Sequence, residues 1–257
     1  VEKRSELDFG GGMGTIGWKT VYDYKDADGN VEATVSSDKV TEDSDNFTFA
    51  VGAMGKDSGE DARGSMFELV HETNFKINNV SIEDAKRYAG DTIKDGAVIY
   101  ADNDNATVEL ENADFKNNSV EDGNGGAIAN IQSETFSITN ALFEGNSASA
   151  NGGAIYNAAN QTIDILAGVG GTTQFTANAA TLGGAIYNAG TLNMTTSGDG
   201  KIIVDAATEI TTETGTEIAS NDIYNVGTLN LNGDITINSA ISDAKTASGT
   251  TNLNGGT

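Results

Sequence analysis

A six-residue phrase recurs three times in this chain: Gly125-Gly126-Ala127-Ile128-Ala129-Asn130, Gly152-Gly153-Ala154-Ile155-Tyr156-Asn157 and Gly183-Gly184-Ala185-Ile186-Tyr187-Asn188. Each copy follows a Phe-x-x-Asn, running from Phe115 to Asn118, Phe143 to Asn146 and Phe175 to Asn178. The doublet repeats every 27 to 32 residues. A period in that range belongs to solenoids, where one repeat cannot bury its apolar face alone and must stack on its neighbours. The repeat then decays. Asn221-Asp222-Ile223-Tyr224-Asn225 keeps the Ile-Tyr-Asn, and Gly190-Thr191-Leu192-Asn193, Gly227-Thr228-Leu229-Asn230 and Gly249-Thr250-Thr251-Asn252 echo one another.

Three strands per repeat are predicted. One is the Gly-Gly-Ala-Ile-x-Asn segment. A second carries apolar pairs two apart, namely Phe136 and Ile138, Ile163 and Ile165, Leu192 and Met194, Leu229 and Leu231. The third ends in Phe-x-x-Asn. Spacing of two is the strand period, so each pair faces one side. Three short strands with turns close one coil that rises by one strand spacing, roughly 4.8 Å. The expected fold is therefore all-β: a parallel β-helix with three strands per rung. It is taken as right-handed from the usual hand of parallel crossovers.

Residues 1–65 lack the repeat and are assigned to an N-terminal β-rich cap, with the β-helix over 66–257. Val21-Tyr22-Asp23-Tyr24 and Val31-Glu32-Ala33-Thr34-Val35 flank the turn Asp26-Ala27-Asp28-Gly29-Asn30 and read as a hairpin. Phe47-Thr48-Phe49-Ala50-Val51 reads as a further strand, followed by a loop from Gly55 to Gly64. Ser81 to Gly90 has a capping Ser, an Asp three residues on and a terminal Gly, which predicts a short helix inserted in the first rung. Phe75-Lys76-Ile77-Asn78 is expected to anticipate Phe115-Lys116-Asn117-Asn118. The chain starts on Val1 and restarts its repeat at Leu253-Asn254-Gly255-Gly256-Thr257, so continuation by further sequence or by a partner is expected.

Alternation places the second Gly, the Ile and the Asn of the phrase on one face, and the Ala and Tyr on the other. Ile128, Ile155, Ile186 and Ile223 are expected to stack inward, with Phe115, Phe143 and Phe175 as an inward aromatic column. Asn130, Asn157, Asn188 and Asn225 are expected to form an amide ladder along the axis. Tyr156, Tyr187 and Tyr224 would stack outside. That row is a candidate binding surface for a glycan or protein, or else a means of tying strands together as like pairs do in sheets.

Composition narrows the function classes. The chain has no Pro, where average usage would give roughly a dozen, and Pro cannot donate to a ladder. Gly (32) and Asn (27) supply the turns instead. Thirty-eight acidic against 14 basic side chains give a net charge of −24, which repels nucleic acid and anionic lipid. No apolar run approaches the ~20 residues of a spanning helix. Absence of Cys removes disulfides and thiol chemistry. The single His, His71, has no nucleophile near it in sequence. The segment from Asp26 to Asn30 resembles part of a calcium loop but lacks its first ligand and closing Glu. Asp102, Asp104 and Asp122 are candidates for weak structural calcium or for acid work on a polysaccharide, yet no carboxylate pair recurs at one rung position. Phe9-Gly10-Gly11-Gly12-Met13-Gly14 lacks the Lys of a phosphate loop and reads as a flexible lead-in. No catalytic residue and no cofactor is expected.

At its Gly-Gly-Ala-Ile and Phe-x-x-Asn pairs, strongly over about 115–190 and weakly over 191–257, the chain resembles the passenger domains of polymorphic outer-membrane autotransporter adhesins. That resemblance implies a right-handed β-helix carried through the outer membrane by a C-terminal β-barrel, of which no amphipathic strands are visible here. It implies an extracellular or bacterial cell-surface location, reached with a signal peptide outside this chain. Three functions follow. The first is a non-enzymatic adhesin-like rod that binds protein or glycan on a cell surface or matrix. The second is a structural subunit that joins further copies of itself end to end through open β-helix edges. The third is a polysaccharide-cleaving β-helix enzyme.

Overall fold

The computed structural model describes residues 65–89, 93–205, 222–242 and 249–254 with their side chains, and residues 2–8, 17–25, 31–36, 47–50, 208–209 and 221 as strand backbone. All regular structure among these residues is β. The chain winds as a parallel β-solenoid, each coil adding one rung to three sheets.

The seven-stranded sheet carries the Ile-Tyr-Asn segments. Ile128–Gln132, Ile155–Asn157, Ile186–Asn188 and Asn221–Asn225 lie side by side, with Ile over Ile and Asn over Asn. The twelve-stranded sheet takes the apolar pairs and the Phe of Phe-x-x-Asn. In the early coils both sit on single strands, Thr73–Glu83 and Ala106–Lys116. These turn a corner at Asn79 and Asn112, whose φ of 56° and 49° are left-handed. Later coils split there, as at Thr135–Thr139 and Leu142–Glu144, with Asn140 at φ 50° between them. A five-stranded sheet of two-residue strands, including Ser119–Val120 and Ser147–Ala148, closes each coil. Asn suits these corners because its short polar side chain tolerates the left-handed region.

The core is a set of continuous columns. One runs Ile77, Leu110, Ile138, Ile165, Met194, Leu231; a second runs Ile82, Phe115, Phe143, Phe175, Val204, Ile237. Parallel register places like on like, so a period legible in sequence becomes a line in space.

Towards the N-terminus, Gly17–Lys25 and Val31–Ser36 pair antiparallel as the expected hairpin, with Glu2–Asp8 as third strand. The hairpin turn, the loop 55–64 and the segment 9–14 lie outside the described residues. Phe47–Ala50 pairs in parallel with residues 80–83, so a strand within residues 1–65 already stacks on the solenoid.

The helix expected over residues 81–90 is not formed. Ser81, Ile82 and Glu83 end one strand, Asp84 turns at φ 60°, and Lys86–Arg87 starts the next. Val80, Ser81, Ile82, Ala85 and Arg87 are buried. Val80 and Ile82, then Ala85 and Arg87 beyond the turn, are each two apart as in strands, and stacking against Ala113 and Phe115 outweighs a local capping pattern. The same register corrects the first-coil alignment. Ile82 lies beside Phe115 and Asn118 bonds the Ala85 N–H, whereas Phe75 lies beside Val108.

Candidate functional site

The phrase Gly-Gly-Ala-Ile-Tyr-Asn joins a tight bend to a short strand. Gly125, Gly152 and Gly183 sit at φ 65°, 66° and 64°, open to glycine at no steric cost. The second glycine serves closeness. A Cβ on Gly126 or Gly153 would lie 2.0 Å from the carbonyl oxygen of Gly153 or Gly184 in the next coil. Ala127, Ala154 and Ala185 were expected outside with the Tyr; they are buried in the core. Strand alternation starts only at the Ile, because the preceding three residues form the bend.

From the Ile onward the faces separate. Ile128, Ile155, Ile186 and Ile223 are fully buried in one column. The inward Asn residues are equally buried, and their amides form a directed ladder. Nδ2 of Asn130 donates to Oδ1 of Asn157 at 3.2 Å, Asn157 to Asn188 at 2.8 Å and Asn188 to Asn225 at 2.8 Å. Nδ2 of Asn157 and Asn188 also donates to the Thr191 and Thr228 carbonyls at 3.1 and 3.0 Å, and that of Asn225 to the Thr250 carbonyl at 3.2 Å. The ladder begins at Asn130, whose Oδ1 is buried without a hydrogen-bond partner; its neighbour in the preceding coil is Ala101.

A second ladder, absent from the expected site, runs through the Asn of Phe-x-x-Asn. Nδ2 of Asn118 donates to Oδ1 of Asn146, and Nδ2 of Asn146 to Oδ1 of Asn178, both at 2.9 Å. Each amide also reaches back one coil: Asn118 to the Ile82 carbonyl, Asn146 to that of Phe115 and Asn178 to that of Phe143, at 3.2, 2.8 and 2.9 Å. The recurring Asn carried the signal, but only the coil-to-coil geometry reveals what its amide satisfies. Beside this ladder the rings of Phe115, Phe143 and Phe175 stack with centroids 4.9 and 4.7 Å apart.

Outside, Tyr156, Tyr187 and Tyr224 stack with centroids 5.3 and 5.4 Å apart and interplanar angles of 17° and 11°. Their faces cover one another, so this half-buried row offers ring edges and hydroxyls to solvent. Burial, followed by the neighbouring phenol, raises the pKa of Tyr156 and Tyr187 above the ordinary tyrosine value. Tyr100 shares the same outward column across Ala129 and donates to Oδ2 of Asp102 at 3.0 Å. Burial and then that bond raise its pKa further still.

The acidic candidates are dispersed. Asp102 is engaged by Tyr100, Asp104 accepts from Asn105 at 3.1 Å, and Asp122 pairs with Lys94 at another corner of the coil. Among the described residues no three His, Cys, Asp or Glu cluster as a metal site, and His71 is exposed. The partial calcium loop at 26–30 lies outside the described residues.

Residues 140–158, which span the second Phe-x-x-Asn and the second Gly-Gly-Ala-Ile, match the model of the Chlamydia polymorphic membrane protein repeat. The chain therefore carries a repeat of that type on a parallel β-solenoid, as its resemblance to autotransporter passengers implied. No curated protein and no solved structure matches the chain.

Proposed function

We propose that this chain is a non-enzymatic, surface-displayed rod that attaches a bacterial cell to protein or glycan on another surface. The observation that carries the reading is how completely the repeat is absorbed into stacking. The recurring Ile, Phe and Asn all face inward as columns, and their amides are spent on one another. What remains outside is a long regular surface, suited to display rather than to chemistry, and the polymorphic membrane protein repeat supports a place at the cell surface. The test is adhesion of beads coated with the natively folded chain to cultured epithelial cells and to extracellular matrix, against beads coated with the heat-unfolded chain. Attachment that requires the native fold supports the reading; equal attachment by both overturns it.

A further inference from the structure

The outer face of the twelve-stranded sheet changes character along the solenoid. In the early coils it carries charge, with Lys76 and Glu109 paired at 2.9 Å. From Thr135–Thr139 through Thr162–Ala167, Thr191–Thr196, Thr228–Asn232 and Thr250–Asn254, the alternate outward positions are Thr, Ser or Asn, broken only by Asp164 and Leu166. These side chains are exposed or half-buried. On a chain of net charge −24 this is a nearly uncharged, flat array.

Its central column is held in place. Nδ2 of Asn193 donates to Oδ1 of Asp164 at 2.7 Å, Asn230 to Asn193 at 2.6 Å and Asn252 to Asn230 at 2.7 Å. Asp164, when ionised, can only accept, and this sets the direction of every amide above it. A primary amide has two donors and about two acceptor sites. The ladder uses one Nδ2–H of Asn193 and Asn230 and one lone pair of each, leaving one N–H and one lone pair per residue for the outer side. Thr191 and Thr228, paired in the flanking column, add hydroxyls that donate and accept. In the coils of Asn193, Asn230 and Asn252 the surface thus repeats an adjacent donor and acceptor, about every 4.8 Å along the axis. Its amides are already ordered, so binding would freeze little further side-chain motion.

We infer that this face binds a neutral, extended polysaccharide laid along the solenoid axis. Vicinal hydroxyls present the same adjacent donors and acceptors, one sugar unit is close in length to one coil, and the near absence of charge removes the attraction that a cationic partner would need. Anionic chains would meet repulsion from the rest of the molecule. The inference rests on the adhesive reading above and names both its ligand class and the face that carries it, which is distinct from the Tyr row.

The test is affinity electrophoresis in native gels cast with or without mixed-linkage β-glucan, glucomannan or xyloglucan. The expected result is at least a twofold loss of relative mobility in one of these gels. It should disappear in a Thr191→Val/Thr228→Val/Asn230→Leu variant and persist in Tyr187→Ala. Should the triple variant lose its β-sheet circular dichroism, Thr191→Val/Thr228→Val, which preserves side-chain shape, replaces it with the same expectation. No retardation by any of the three polymers overturns the inference, as does retardation that survives the Thr-to-Val changes or is lost only with Tyr187→Ala. Bead adhesion on the same preparation separates the failures. Attachment to cells without retardation removes this face alone, and absence of both removes the adhesive reading with it.

Discussion

Truncating one rung of the inner amide ladder should cost far more in its middle than at its start. Asn157 accepts from Asn130 and donates to Asn188 and to the Thr191 and Gln161 carbonyls. Asn157→Ala therefore strands a buried donor on Asn130 and a buried acceptor on Asn188. At about 1–3 kcal/mol for each orphaned group, plus the space left by the amide, the loss should be about 3–5 kcal/mol. Asn130→Ala strands only the Asn157 acceptor, and it removes an oxygen that is already unpartnered. It should cost about 1–2 kcal/mol. Guanidinium unfolding followed by circular dichroism measures both. Equal losses would refute the directed ladder. Asn157→Asp supplies a second reading. A carboxylate buried against Oδ1 of Asn188 is disfavoured, so its folded pKa rises above the unfolded value of about 3.9. The stability of this variant should be greatest below that unfolded value, where the protonated acid can donate as the amide did, and should fall as pH rises through the folded pKa.

The close approach of coils predicts that Gly153→Ala costs about 3 kcal/mol or more, since its Cβ would meet backbone atoms of Gly184 and Ala179 at 2.0 to 2.7 Å. Gly170→Ala, with φ 69° but nothing within 4 Å of its Cβ, should cost only about 1–2 kcal/mol for backbone strain; equal unfolding midpoints would contradict the difference. Ala177 occupies a left-handed corner at φ 53° in a column otherwise held by Asp84, Asn117 and Gly145. Ala177→Asn should raise stability by about 0.5–1 kcal/mol in the same assay. In an alkaline titration read by phenolate absorbance, Tyr100, Tyr156 and Tyr187 should ionise above the ordinary tyrosine value of about 10. Because their folded pKa values are raised, the stability they contribute is present below about pH 10 and is lost as pH climbs through those values.

The stacked part of the fold was legible because parallel register makes equivalent residues touch. Once Ile128, Ile155 and Ile186 recur at a coil's length in a chain free of Pro, a column is the arrangement that buries them all. The inner Asn ladder and the Phe stack were readable for the same reason. The first coils were not, because there Ile82 stands for Phe and Ala85 for Asn, and a local helix signal over residues 81–90 had no visible competitor. The Thr and Asn of the outer array were visible as the echoes of Gly190-Thr191-Leu192-Asn193; that its amides bond in one direction from Asp164 depends on which residues the coils bring level. The amino-acid sequence by itself determined the coil, its period and the residues that line it, since those follow from side-chain type and spacing. Tertiary structure alone decided the ladder directions, the tight Gly-Gly contacts and which polar groups are left facing water, because each depends on hydrogen bonds between residues a full coil apart.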